Sequence, residues 1–336
     1  MKKSGLGLWV VVVIFAILAS LSGIAIRYLW DVAGQIDAEL ARPVRYGGQV
    51  YPGEMLLQGA PWLWGEGWDS ETPPVEHTVF SSGTEGNQAL LAGDVDVNVG
   101  SDSKSCALFA ASDEIVIIGT LQRGDRYSTI VRLDSGYEDW ADLKGQTVGT
   151  RLGTGAEQVL LRYFDSRNDL SWDDYEWVNV DVGDMGALLE AGQIEAFTAW
   201  EPTPAIAEAN SIGRVLMSYG DVALVPVSVH TTQAYLDANH DKLVALMQAH
   251  QRKVDLIESN PEGAAQLAAN AAKARGVEVL PAAFEAMFRR IDFSLEFDVD
   301  ALLALQNTCA FLVDQGKIEA EPEIRWTAEI TDEALR

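Results

Sequence analysis

Metal centres and redox motifs need residues that this sequence barely has: its 336 residues include two cysteines and four histidines. Cys106 and Cys309 form no C-x-x-C pair, and His77, His230, His240 and His250 are not clustered at ligand spacing. No zinc or redox motif is readable, and no cofactor or metal is expected. Positive charge is scarce too, with 24 Lys and Arg against 50 Asp and Glu and a formal charge of -26. Such a surface repels phosphate backbones and anionic headgroups, so nucleic acid is excluded as a partner. Catalytic signatures are missing as well. Without a G-x-S-x-G elbow, an H-E-x-x-H pair or a Walker loop, no nucleophile with a placed base can be named, and an enzyme is not expected. There is no solenoid repeat and no low-complexity tract.

What remains is globular in composition: 48% hydrophobic and 22% charged, long enough for two lobes with their own cores. The N-terminus carries the strongest physical signal. Lys2 and Lys3 precede the uncharged run Gly5 to Ile26, which matches the roughly 20 residues needed to cross a bilayer and is long for a cleaved signal. Residues 1–27 therefore read as a signal anchor with its lysines in the cytoplasm and the following chain exported. Cleavage near Ala19 or Ala25 is the competing reading. Leu21-Ser22-Gly23 resembles a lipoprotein box, but Ile24 stands where the lipidated cysteine would be, so no lipid anchor is expected there. In an exported domain the two cysteines are compatible with one disulfide and equally with buried free thiols.

Residues 28–42 read as an amphipathic stalk broken by Pro43. Beyond it, short β-branched runs alternate with helical runs, which predicts an α/β architecture with mostly parallel sheets. Strands are expected at 44–50, 75–80, 95–99, 114–121 and 127–133. A second unit follows, with strands at 147–151, 175–182, 194–199, 214–219 and 223–229. From Thr231 onward the pattern is almost all helical and is expected to pack on the first lobe. Small hydroxyl-bearing residues sit at the strand-to-helix turns, where open α/β sheets bind ligands. The stretch "GQIEAFTAWEP", Gly192 to Pro202, ends a strand in an aromatic, a carboxylate and a proline.

Four motifs in order carry a family resemblance. They are Phe80-x-Ser82-Gly83 followed by Ala89-Leu90-Leu91-Ala92-Gly93-Asp94-Val95-Asp96-Val97, then Asp142-Leu143-Lys144-Gly145-Gln146-Thr147-Val148-Gly149, then Gly192-Gln193-Ile194-Glu195-Ala196 ending at Trp200-Glu201-Pro202. Over about residues 43–320 the chain resembles the sulfonate/taurine/nitrate group of ABC-transporter solute-binding proteins. The resemblance implies a two-lobed type II periplasmic-binding fold that closes on a small solute and presents it to a membrane permease and its ATPase. The lobes are expected at 43–133 with 224–336, and at 134–223. An extracytoplasmic ligand-sensing domain is the alternative. The chain also distantly resembles pyrimidine-precursor synthases of thiamine metabolism, which would be cytoplasmic.

By position, the resemblance places Gln49, Tyr51, Ser101, Ser103, Thr154, Gly155, Glu157, Trp200, Glu201 and His230 along the cleft. Ser101, Ser103 and Thr154 at helix N-termini could receive a sulfonate, carboxylate or phosphonate, and could equally be ordinary caps. Glu157 and Glu201 favour a cationic or zwitterionic ligand instead. No lysine or arginine is found at these positions, although Arg151 is near, which disfavours nitrate and favours an amine-bearing sulfonate or phosphonate. Trp62, Trp64 and Trp68 form an aromatic patch read as core or permease-facing surface, with a stacking wall as the sharper idea.

Overall fold

β-branched runs and helical runs alternate along the chain and sort into two sheets. The computed structural model describes residues 42–49, 51–65, 75–80 and 82–336. The anchor expected at 1–27, nearly all of the stalk and Trp68 lie outside them. Among the described residues no helix is long and apolar enough to cross a membrane.

The compact unit Val44–Arg336 begins with β1 (Val44–Gly48), α1 (Pro52–Gly59), β2 (Val75–Val79), α2 (Gly83–Ala92), β3 (Val97–Ser101), α3 (Asp102–Ala111) and β4 (Ile115–Gly124). The chain then crosses into β5 (Tyr127–Arg132), β6 (Thr147–Thr150), α4 (Gly155–Asp165), β7 (Glu176–Asn179), α5 (Met185–Glu190), β8 (Ala196–Trp200), α6 (Thr203–Ala209) and β9 (Gly213–Ser218). It returns through β10 (Val227–Thr232) and continues as α7 (Gln233–Ala238), α8 (His240–Ser259), α9 (Pro261–Ala274), α10 (Pro281–Arg290), β11 (Ile291–Asp292), α11 (Val299–Asp314) and α12 (Glu329–Ala334).

The first lobe's six strands run β11-β4-β10-β3-β1-β2, and the second lobe's five run β7-β6-β8-β5-β9. β1 pairs in parallel with β2 and β3, and β6 with β7 and β8. The strand arriving from the other lobe, β10 or β5, lies antiparallel to both of its neighbours. Both sheets are covered on two faces, which is why strands such as β4 read as continuous apolar runs. Val116 and Ile118 face one helical layer, while Ile115 and Ile117 face another, in which Cys106 of α3 is joined to Cys309 of α11 by a disulfide. Of the two states that composition left open for these cysteines, the structure holds the bonded one.

The lobe boundaries differ from those drawn at 133/134 and 223/224. β5 belongs to the second sheet, so the first crossing falls at Asp125-Arg126, and Ala223 and Val225 pack in the second lobe's core before β10 starts. The alternation of Tyr127 to Leu133 fits either sheet; only its pairing with β8 and β9 decides. The crossings are tied together, with Gly124 N donating to Leu224 O at 2.6 Å and Gly220 N to Asp125 Oδ1 at 2.7 Å. Val225 has φ of 43°, a left-handed conformation that costs a β-branched residue on the order of 1–2 kcal/mol. That strain sits in the return crossing itself.

Candidate ligand-binding cleft

Each lobe sends its first three strand-to-helix turns to the same place. The β1-to-α1 turn brings Gln49 and Tyr51, the β2-to-α2 turn Ser82 and Gly83, and the β3-to-α3 turn Ser101, Ser103 and Lys104. From the second lobe the β6-to-α4 turn brings Arg151, Thr154 and Gly155, the β7-to-α5 turn Asp181 and Val182, and the end of β8 Trp200. Arg126 and Tyr127 enter from the crossing, and together these groups enclose about 450 Å³. Parallel strands that end together carry their turns together, so the convergence follows from the strand order.

Arg126 is the most distinctive group in this wall. Its side chain is buried, its Nη1 donates to Val225 O at 2.7 Å, and its Nε finds no hydrogen-bond partner. The guanidinium lies 5.7 Å from the Tyr51 ring centroid and 5.6 Å from that of Tyr127, one ring from each lobe. Among the described residues no carboxylate forms an ion pair with it. Cation–π contact supplies part of the solvation the charge has lost, but a guanidinium held out of water without a counter-ion still costs several kcal/mol. Burial pushes the Tyr51 phenol up to about 12 and raises that of Tyr127, so both remain protonated. Tyr51 donates its proton to Gln49 Oε1 at 2.7 Å.

Lys104 adds a second cation, its ammonium lowered from the usual lysine range by partial burial and without an ion-pair partner among the described residues. Arg151 is the third, and it is matched: Nη1 lies 3.1 Å from Asp181 Oδ1, with Arg151 half-buried and Asp181 exposed. The wall thus carries three cationic side chains against one carboxylate, in a chain whose overall charge is strongly negative. The ten positions expected along the cleft hold no lysine or arginine; Arg151, noted as near them, lines the cavity, and Lys104 and Arg126 line it as well. Gly155 is needed where it is, because a Cβ there would collide with the Tyr127 hydroxyl.

Of the residues expected along the cleft, Gln49, Tyr51, Ser101, Ser103, Thr154, Gly155 and Trp200 lie on this cavity. Ser101 is the N-cap of α3 yet makes no capping bond, and its Oγ stands 3.5 Å from that of Ser103. Thr154 is more committed. Its hydroxyl donates to Arg151 O at 2.6 Å and accepts from Ala156 N at 3.3 Å, so it caps α4 and has no proton left for a ligand.

Three expectations are corrected. Glu157 folds back to accept from Gly153 N at 2.7 Å and lines a neighbouring pocket of about 210 Å³. Glu201 is buried away from the cavity, 2.8 Å from Arg290 Nη1, and accepts from Ala205 N at 3.0 Å. Burial pushes its carboxyl up to about 7, against the pull of Arg290. His230 sits inside the first lobe, with Nδ1 3.3 Å from Asn98 O and Nε2 2.9 Å from Ser105 Oγ, and burial lowers its imidazole to about 4. The reason is common to all three: a nearer polar partner satisfies each side chain. The two carboxylates that argued for a cationic or zwitterionic ligand are therefore engaged elsewhere. Trp64 packs edge-on against His250 at 6.3 Å in the first lobe's core, and Trp62 is exposed.

Comparison with known proteins places this geometry among relatives. Residues 78–264 match the family described as NMT1/THI5 like. A putative binding protein of Bacillus subtilis (strain 168), YtlA, is 26% identical over 155 residues, 45% of this chain and 46% of the relative. A putative binding protein of Brucella abortus (strain 2308), BAB2_1146, is 27% identical over 135 residues, 40% of this chain and 41% of the relative. The chain thus spans under half the length of these curated relatives. Among solved structures, the periplasmic aliphatic sulphonate binding protein SsuA from Escherichia coli superposes with a TM-score of 0.71 at 19% identity, covering 84% of this chain and 90% of that one. The periplasmic nitrate-binding protein NrtA from Synechocystis PCC 6803 gives 0.63 at 14% identity, covering 87% of this chain and 88% of that one. At such identities these two likenesses show the two-lobed fold.

Proposed function

The chain belongs to the NMT1/THI5-like family, and from that premise we propose that it is the solute-binding component of an ABC importer, a receptor for a small organic anion of the sulfonate or phosphonate class. It binds and delivers its solute without transforming it. The observation that carries this reading is Arg126, a buried guanidinium with no carboxylate partner among the described residues that faces the interlobe cavity. An anionic head group entering there would supply the missing counter-charge, and the cost of holding Arg126 out of water turns into affinity for that charge. Lys104 and the Ser101 hydroxyl line the same space and add donors of the same preference. Closure about the crossings at 125–126 and 219–226 would shut the cavity, since its walls come from both lobes.

Residues 1–27 are assigned to a signal anchor in the cytoplasmic membrane, with the domain outside and an ABC permease and ATPase as its partners. The Cys106–Cys309 disulfide agrees with an oxidising, extracytoplasmic setting.

Calorimetric titration of the full-length protein with short alkanesulfonates, alkylphosphonates, nitrate and a quaternary ammonium tests the proposal. A sulfonate or phosphonate is expected to bind, and Arg126→Met to weaken it by roughly a hundredfold, the effect of removing one partner of a desolvated charge pair. Binding of the quaternary ammonium alone, or an anion affinity that ignores Arg126→Met, would overturn it.

A further inference from the structure

Far from the cleft, His240 opens α8 with its ring turned toward two carboxylates of α12. Its Nε2 lies 3.8 Å from Glu329 Oε1 and 3.7 Å from Glu333 Oε1. These separations exceed a hydrogen bond. They approach the spacing of neighbouring ligands around a small cation, since bonds of about 2.0–2.2 Å in a tetrahedral site set adjacent ligand atoms roughly 3.3–3.6 Å apart. One ligand atom from each of the three residues falls within 4.8 Å of the others.

Other observations point to a ligand there. The Nε2 atom is shielded from solvent and has no hydrogen-bond partner, although the rest of the ring is partly exposed. On the opposite side of the ring, Nδ1 lies 3.5 Å from Asp241 Oδ1, an exposed carboxylate. Glu329 and Glu333 stand one helical turn apart, so their charges repel on one face of α12, and neither pairs with a lysine or arginine among the described residues. That face is fixed, because Ile330 and Ala334 on the adjoining face of the helix are buried in the first lobe's core. A groove of about 520 Å³ lined by His240, Glu329, Arg325 and Trp326 borders the cluster and can admit water to a remaining coordination position.

We propose that His240, Glu329 and Glu333 bind one divalent cation of the class that accepts imidazole and carboxylate together, zinc foremost, and that the ion pins the C-terminal helix α12 to the start of α8. Two carboxylates and a neutral imidazole leave the site neutral with a doubly charged ion, which removes the repulsion within α12. None of the three residues lines the solute cavity, so the site stands or falls independently of the receptor assignment.

The experiment uses the full-length protein stripped with a chelator and titrated with Zn²⁺ and, for its visible absorption, with Co²⁺. One equivalent should bind at micromolar concentration or below, raise the melting temperature, and give cobalt bands of a four- or five-coordinate site. His240→Gln and Glu333→Gln, both at the surface, should each weaken binding at least about tenfold while leaving the metal-free melting temperature and the solute titration unchanged. Absence of a saturable equivalent, affinity only at millimolar metal, or undiminished binding in both variants would each overturn the proposal. The last outcome would place any bound metal elsewhere.

Discussion

The two sheets are built to one plan and furnished differently. β2-β1-β3-β10-β4 in the first lobe and β7-β6-β8-β5-β9 in the second have the same order, each with the strand from the other lobe inserted antiparallel in the fourth place. Shared order sets where the turns meet; it does not set what they carry. The first lobe holds the disulfide, the buried His230 and His250, and Lys104, which has no ion-pair partner among the described residues. The second is held by an aromatic cluster in which Trp140 touches Tyr163, Phe164, Tyr175 and Trp177, and its cleft cation Arg151 is already paired. On the proposed reading, the first lobe would offer a ligand charge that has no ion-pair partner among the described residues, and the second would offer a stiff wall and the Trp200 ring.

The disulfide provides the largest test of that contrast. Cys106 and Cys309 are 203 residues apart, and replacing both by serine should cost the first lobe up to about 5 kcal/mol, the entropy regained by so long a loop in the unfolded chain. The loop contains the whole second lobe, so the loss shrinks if that lobe stays folded while the first unfolds. Calorimetry should show a transition that moves down in the variant and a second that stays, reported by the tryptophans of the aromatic cluster. Equal movement of all signals would mean that the lobes unfold as one unit.

Acid should next separate them. Burial lowers His230 from 6.5 to about 4. Between those values the unfolded chain takes up a proton that the folded chain refuses, so stability present above pH 6.5 is lost as pH falls, by about 3 kcal/mol at pH 4. Glu201, at the end of β8, has the opposite sign. Its carboxyl is raised from 4.5 to about 7, so over that window the folded chain keeps a proton the unfolded one releases, and stability grows as pH falls. His230→Gln should flatten the acid loss between pH 6.5 and 4, and Glu201→Gln should steepen it. Denaturant melts across this range check both slopes, and an unchanged slope in either variant would remove that group from the account.

How far the sequence reveals these features depends on whether their cause is local. Strands and helices were readable because alternation, periodicity and Gly or Pro punctuation act over a few residues. The strand expected at 223–229 reads as one apolar run, but Val225 turns to positive φ and Pro226 cannot donate to a ladder, so the pairing of β10 starts at Val227. In the cleft, hydroxyls at strand ends marked Ser101 and Ser103, since turn chemistry is local. Arg126 carried no such mark: its character comes from two tyrosine rings contributed by different lobes and from a crossing whose position only sheet pairing defines. Glu201 looked like a ligand group for the converse reason, because Arg290, which claims it, is 89 residues away.

The smallest effects probe the cleft cations themselves. With the anion identified by titration, Lys104→Met should weaken it about tenfold, the value of one charge-assisted contact from a partly buried donor with no competing partner among the described residues. Arg151→Met should change affinity by no more than about twofold, because its guanidinium is already matched by Asp181 and both groups face water, where ion pairs contribute little. The double substitution Arg151→Met with Asp181→Asn should be equally mild, since it removes both charges at once. A loss of tenfold or more from Arg151→Met alone would mean that the second lobe exchanges Asp181 for the ligand on closing, and the division between a charged wall and a closing wall would then have to be redrawn.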